Sequence, residues 1–155
     1  MVKRIILIVA IAMIAFSGVA LAADTNTVTV NANVVGTCKF NSATSTLAFG
    51  GLDPSSGAPV NASTSTTFWC TKNASYSIGD DDGAYDLIAP VGQKMKHQSL
   101  NEYIAYNFGY TPTTGTGSGP STPITLDISG TVAFAAYQNA SEGNYSDSVV
   151  LSINP

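Results

Sequence analysis

The chain has 155 residues, with 6 Lys+Arg, 10 Asp+Glu, one His and two Cys, a length that suits one domain and argues against a large multi-step enzyme. Without its first 22 residues, 18 of them hydrophobic, it keeps four basic and ten acidic residues and a formal charge of −6. A nucleic-acid-binding face is built from clustered Lys and Arg, and too few remain to make one.

Residues 1–22 read as a secretory signal peptide that is cleaved. Lys3 and Arg4 form a basic start, Ile5 to Phe16 is an unbroken apolar run of 12, and Ala20-Leu21-Ala22 or Leu21-Ala22-Ala23 supplies the small-residue cleavage site. The alternative, a membrane anchor, calls for about 20 apolar residues, and small residues rather than a basic stop follow this run. The mature chain is therefore expected to begin near Ala23 or Asp24, outside the cytoplasm.

Thr27-Val28-Thr29-Val30-Asn31-Ala32-Asn33-Val34 alternates polar and apolar without a break, the pattern of a strand with one buried face. Only Val35-Gly36-Thr37 separates it from Cys38, too little for a hairpin that returns it beside its neighbour. In an oxidising compartment Cys38 and Cys70 are expected to form a disulfide, stabilising the fold by about 3–4 kcal/mol in the chain-entropy picture. A zinc site would need about four ligands, and two thiols with one imidazole are too few.

The mature part is rich in Ser, Thr and Asn, 44 of 133 residues, and further short strands are expected at Thr46–Gly50, Thr66–Thr71, Tyr76–Gly79, Tyr103–Tyr106, Ile124–Ile128 and Val132–Tyr137. Between them, Asp53-Pro54-Ser55-Ser56-Gly57, Asp80-Asp81-Asp82-Gly83, a long Thr111–Pro123 loop and Asn139–Gly143 are turn chemistry. At the end Tyr145, Val149, Leu151 and Ile153 alternate with serines, interrupted by Asp147 and Val150. Short strands at this spacing, with no convincing amphipathic helix, indicate an all-β sandwich. One strand is surplus at the start, and nothing follows the last strand to complete a seventh position.

The order TVTVNANVVGTC, TLAFGGL, FWCTKNASYSI, KMKHQSLNEYIAYNF, GNYSDSVVLSINP resembles the spore coat protein U domain family, which includes the pilins of archaic, Csu-type chaperone-usher pili. The resemblance covers nearly the whole mature chain. It implies an incomplete immunoglobulin-like β-sandwich lacking its last strand, with 1–22 as signal peptide, 23–35 as an N-terminal donor strand extension and 36–155 as the pilin domain. The implied partners are a periplasmic chaperone, an outer-membrane usher and neighbouring copies or related pilins joined head to tail. The implied location is a cell-surface pilus serving adhesion and biofilm formation.

On this reading Val28, Val30, Ala32 and Val34 enter a neighbour's groove by β-strand addition. Tyr145, Val149, Leu151 and Ile153, on the strand bordering the groove, meet the chaperone and then the donor. Asn154-Pro155 departs from the penultimate Tyr common in classical fimbrial subunits. The alternatives are a secreted monomeric binding module that keeps 27–34 in its own sheet, or a spore-coat-like structural protein.

No catalytic residue, metal or cofactor is expected. His97, the single imidazole, has no nucleophile partner and is read as part of a solvated polar face, and Asp80–Gly83 as a turn rather than a calcium loop. Trp69 is read as core packing beside the disulfide rather than a sugar platform. Phe108 and Tyr110 are expected to be buried. The Asn-x-Ser sequons at Asn61, Asn73, Asn139 and Asn144 are no more than a chain rich in Asn and Ser supplies by chance.

Overall fold

The computed structural model describes residues 23–88 and 92–155; the proposed signal peptide lies outside them. The chain divides into two units between Asn33 and Val34. In the first, residues 23–33 form no strand or helix and are exposed. The strand expected at Thr27–Val34 is therefore not formed in the single chain, because an extended segment acquires a ladder only when another strand accepts its backbone hydrogen bonds.

The second unit is all-β apart from one helical turn. β1 (Cys38–Phe40), β2 (Val60–Cys70), β3 (Ser75–Asp80), β4 (Lys94–His97), β5 (Tyr103–Ala105), β6 (Asn107–Thr111), β7 (Thr114–Thr116), β8 (Ile124–Val132), α1 (Phe134–Tyr137), β9 (Tyr145–Ser146) and β10 (Leu151–Asn154) follow in order. One layer is the antiparallel sheet β1-β2-β8-β6, and opposite it lie the sheets β10-β3-β7 and β5-β4-β9. The sheets share their apolar cores, so the body is an all-β sandwich, the class that the turn spacing predicts.

Register explains what holds the layers together. Thr64 pairs with Ile128, Thr66 with Leu126 and Phe68 with Ile124, so alternate residues of β2 and β8 face inward. Phe68, Leu126 and Ile128 meet Tyr76 and Ile78 of β3 in one core cluster, while Val132, Ile104, Tyr106 and Tyr137 form a second. Burying each large side chain contributes about 1.5–3 kcal/mol. The disulfide joins directly opposed residues of β1 and β2.

Several expectations are corrected. Thr46–Gly50 forms no strand, although Leu47 and Phe49 pack on the core from an irregular segment. Gly130 admits them: a β-carbon there would lie 2.8 Å from Phe49 and 2.9 Å from Leu47. Val132–Tyr137 is not one strand, since β8 ends at Val132 and α1 begins at Phe134. The Tyr137 hydroxyl donates to the Ala58 carbonyl at 2.6 Å and lies 2.9 Å from Ser56 Oγ, and those partners come from a distant loop that no local pattern announces. The Thr111–Pro123 loop contains β7, which pairs with β3.

His97 is not on a solvated face. Both it and Lys94 are buried at the ends of β4, the central strand of its sheet. His97 Nδ1 accepts from the backbone N–H groups of Ser99 at 3.0 Å and Leu100 at 2.9 Å, and Nε2 lies 3.1 Å from the Glu142 carbonyl oxygen. The Lys94 ammonium donates to the Ile88 carbonyl. Polar side chains tolerate burial when their donors and acceptors are met in this way. Trp69 is likewise not core: strand alternation turns it opposite to Phe68 and Cys70, and it pairs with Lys39 on the outer side of the sheet. Phe108 and Tyr110 of β6, expected to be buried, are half-buried and pack against the core.

Candidate functional site: an open apolar groove

A groove of about 550 Å³ runs between two stretches of chain that belong to no strand. One bank is residues 42–49. The other is residues 147–150, between β9 and β10. The floor is the inner face of the sandwich, including Met95, Tyr106, Phe108 and Ile128. The closing strand expected over Tyr145–Ile153 is thus two short strands with an interval that pairs with no strand, because β9 pairs with β4 and β10 with β3. Backbone that faces an apolar cleft without ladder partners is a template for another strand.

Tyr145, Val149, Leu151 and Ile153 are all half-buried, while Ser146, Ser148, Val150 and Ser152 are exposed. The first three line the groove, and Ile153 packs on the neighbouring core. Of the residues expected to act as donors, Val28, Val30 and Val34 are 76%, 87% and 82% exposed, and Ala32 is also exposed.

Asp147, an interruption of the apolar pattern, points inward. Its Oδ2 accepts the Tyr106 hydroxyl at 2.7 Å, and its Oδ1 accepts the N–H groups of Ala84 at 3.0 Å and Ser148 at 2.8 Å. Burial, followed by the bond to this carboxylate, holds the Tyr106 hydroxyl well above the ordinary tyrosine range. The carboxylate thereby braces the bank, a role the sequence signals only as a break in alternation. Asp147→Ala is expected to cost about 2–3 kcal/mol, because a buried phenol and two amides lose a charged acceptor. Urea unfolding measures it, and Asp147→Asn should recover part of the loss.

The same bank depends on Asp81. Its Oδ1 accepts from Val150 N–H at 2.9 Å and Gly83 N–H at 3.1 Å, and these bonds, Val150 first, hold its carboxyl below the ordinary range. The resulting stability is present above the ordinary carboxylate value of about 3.9 and is lost as pH falls through the lowered folded value. The unfolding midpoint of the unmodified protein should therefore exceed that of Asp81→Asn near neutrality, and the difference should close in acid. In the Asp80–Gly83 loop Asp80 also serves a backbone amide, that of Asp82. Among the described residues no group of three or more His, Cys, Asp or Glu is arranged to hold a metal.

The spore coat protein U domain model matches residues 24–152, which is most of the chain. The protein belongs to the spore coat protein U domain family. No curated protein matches the sequence. Among solved structures, similarity extends to the pre-assembly complex of the chaperone CsuC with the tip adhesion subunit CsuE, from the archaic chaperone-usher Csu pili of Acinetobacter baumannii. That match has 15% identity and a TM-score of 0.46, and it covers 77% of this chain and 40% of that chain. This member of the spore coat protein U domain family has, among its described residues, no helix long and apolar enough to cross a membrane.

Proposed function

We propose that the protein is an exported structural pilin. Its groove accepts the N-terminal segment of another copy or a related subunit, and its own residues 27–34 enter the next groove, giving a head-to-tail surface fibre that serves adhesion and biofilm formation. The observation that carries this reading is the apolar groove between two unpaired banks, on a chain that also carries an exposed alternating segment. A strand laid between the banks would meet apolar residues with every second side chain and offer its backbone to both edges. Because donor and acceptor are different surfaces, the contact does not close on itself.

Topology favours a donor from another copy. A β-carbon on Gly36 would lie 3.6 Å from Pro155, so the chain enters the body where β10 ends. Attached at that corner, its own segment could run in the groove only parallel to β10, whereas every strand pairing in the body is antiparallel. A segment from a second copy has no such constraint.

A periplasmic chaperone would occupy the groove before assembly, an outer-membrane usher would mediate the exchange, and residues 1–22 would direct export and be removed. The test is an SDS gel, with and without boiling, of the protein recovered from the surface of cells that also make the cognate chaperone and usher. A ladder of SDS-resistant multimers that collapses on boiling is expected. A monomer alone, despite verified export, would favour the secreted binding module.

A further inference from the structure

Between the proposed donor segment and the body, one side chain makes an unusual set of bonds. The Thr71 hydroxyl accepts the Thr37 N–H at 3.0 Å and lies 3.3 Å from the carbonyl oxygens of both Val35 and Thr37, within reach of donating its proton to either. The Thr71 N–H donates to the Thr37 carbonyl at 2.8 Å. Gly36, between these anchors, lies against Ala74 and Pro155. The chain is therefore gripped from Val35 onward, and Val35 directly follows Val34, the last residue of the alternating segment.

Thr71 is itself held. It follows Cys70, whose disulfide fixes it to β1, and Gly117 packs so closely that a β-carbon there would lie 2.4 Å from the Thr71 carbonyl oxygen. Backbone bonds from Asn73 N–H to the Gly117 carbonyl and from Gly117 N–H to the Ala74 carbonyl tie the adjacent turn to the same loop.

We propose that Thr71 is a positioning residue for subunit joining: it holds Val35–Thr37 on the body, limits donor insertion to Val34 and leaves no flexible spacer between consecutive subunits. This inference rests on the pilin reading. Two anchored carbonyls and one anchored amide at the exit restrict the directions the segment can take, so the angle between neighbouring subunits is narrowly distributed. Without the hydroxyl, Val35 and Gly36 become a hinge.

The test compares fibres of the unmodified protein with those of Thr71→Val, which keeps the side-chain shape and removes the hydroxyl, and of Thr71→Ser, which restores it. Each is examined on the SDS gel, by electron microscopy for the spread of bend angles, and by hydrogen exchange. For Thr71→Val we expect an intact ladder, a wider spread of bend angles and roughly tenfold faster exchange at Thr37, the effect of losing one hydrogen bond. Thr71→Ser should return both to the unmodified values. If Thr71→Val does not accumulate, a short Gly-Ser insertion after Val34 leaves the body untouched and should widen the bend angles by bypassing the clamp. Intact ladders with the same angular spread in every variant would overturn this inference alone. Absence of a ladder from the unmodified protein would overturn the pilin reading and this inference with it.

Discussion

Val30→Asp is expected to abolish the ladder of SDS-resistant multimers while leaving export and the folded body intact. Val30 lies in the middle of the alternating segment and is 87% exposed in the single chain, so the substitution removes nothing from the fold. In a neighbour's groove the change forfeits about 1.5–3 kcal/mol of valine burial and places a carboxylate in a cleft whose floor includes Met95, Phe108 and Ile128, at a further cost of several kcal/mol. A combined loss of about 4 kcal/mol weakens pairing about a thousandfold. Asn31→Asp is the matched control. Its side chain belongs to the other face of the strand, and the ladder should survive. A ladder unchanged by Val30→Asp would remove this segment from the joint.

The second large effect is on stability. Replacing Cys38 and Cys70 together with serine should lower the unfolding free energy by about 3–4 kcal/mol, chiefly because the unfolded chain regains the freedom of a loop that the bridge closes. The bond has local importance too, since β1 is only three residues long and carries the chain from the Thr71 clamp to the groove bank. The double variant should therefore show faster hydrogen exchange in β1 and at Thr37 before global unfolding. Guanidinium unfolding under non-reducing conditions measures the first quantity, and exchange read by mass spectrometry measures the second. A loss below about 1 kcal/mol, within the range of an ordinary surface substitution, would mean that the bridge contributes little.

Much of the architecture was legible in the residues because β-sandwich cores impose a two-residue period. The alternation in Thr66–Thr71, Tyr76–Gly79 and Ile124–Ile128 marks strands that lie within or largely within β2, β3 and β8, and the disulfide follows from two cysteines in a chain whose start reads as an export signal. The apolar face of Tyr145, Val149, Leu151 and Ile153 was readable in the same way. The alternation of Val28, Val30, Ala32 and Val34 was visible as a pattern, but no partner for it was.

Other features depend on contacts between residues far apart in the chain, and local pattern carries no record of those. Leu47 and Phe49 pack on the core without a strand because Gly130, more than 80 positions away, leaves room for them. His97 is buried with Nε2 3.1 Å from the carbonyl oxygen of Glu142, 45 positions away, while nearby turns supply its other partners and that of Lys94; in isolation Lys-Met-Lys-His has the composition of a surface. Asp147 spoils an alternation in the sequence, and only the approach of Tyr106 and Ala84 turns it into a brace. Sequence alone determined the all-β class, the paired cysteines and a segment suited to strand addition, since each is written in composition or in a period of two. Only the tertiary structure decided where the groove opens, what supports its banks and how the chain is gripped at Thr71, because these depend on which backbone groups find partners once the layers have packed.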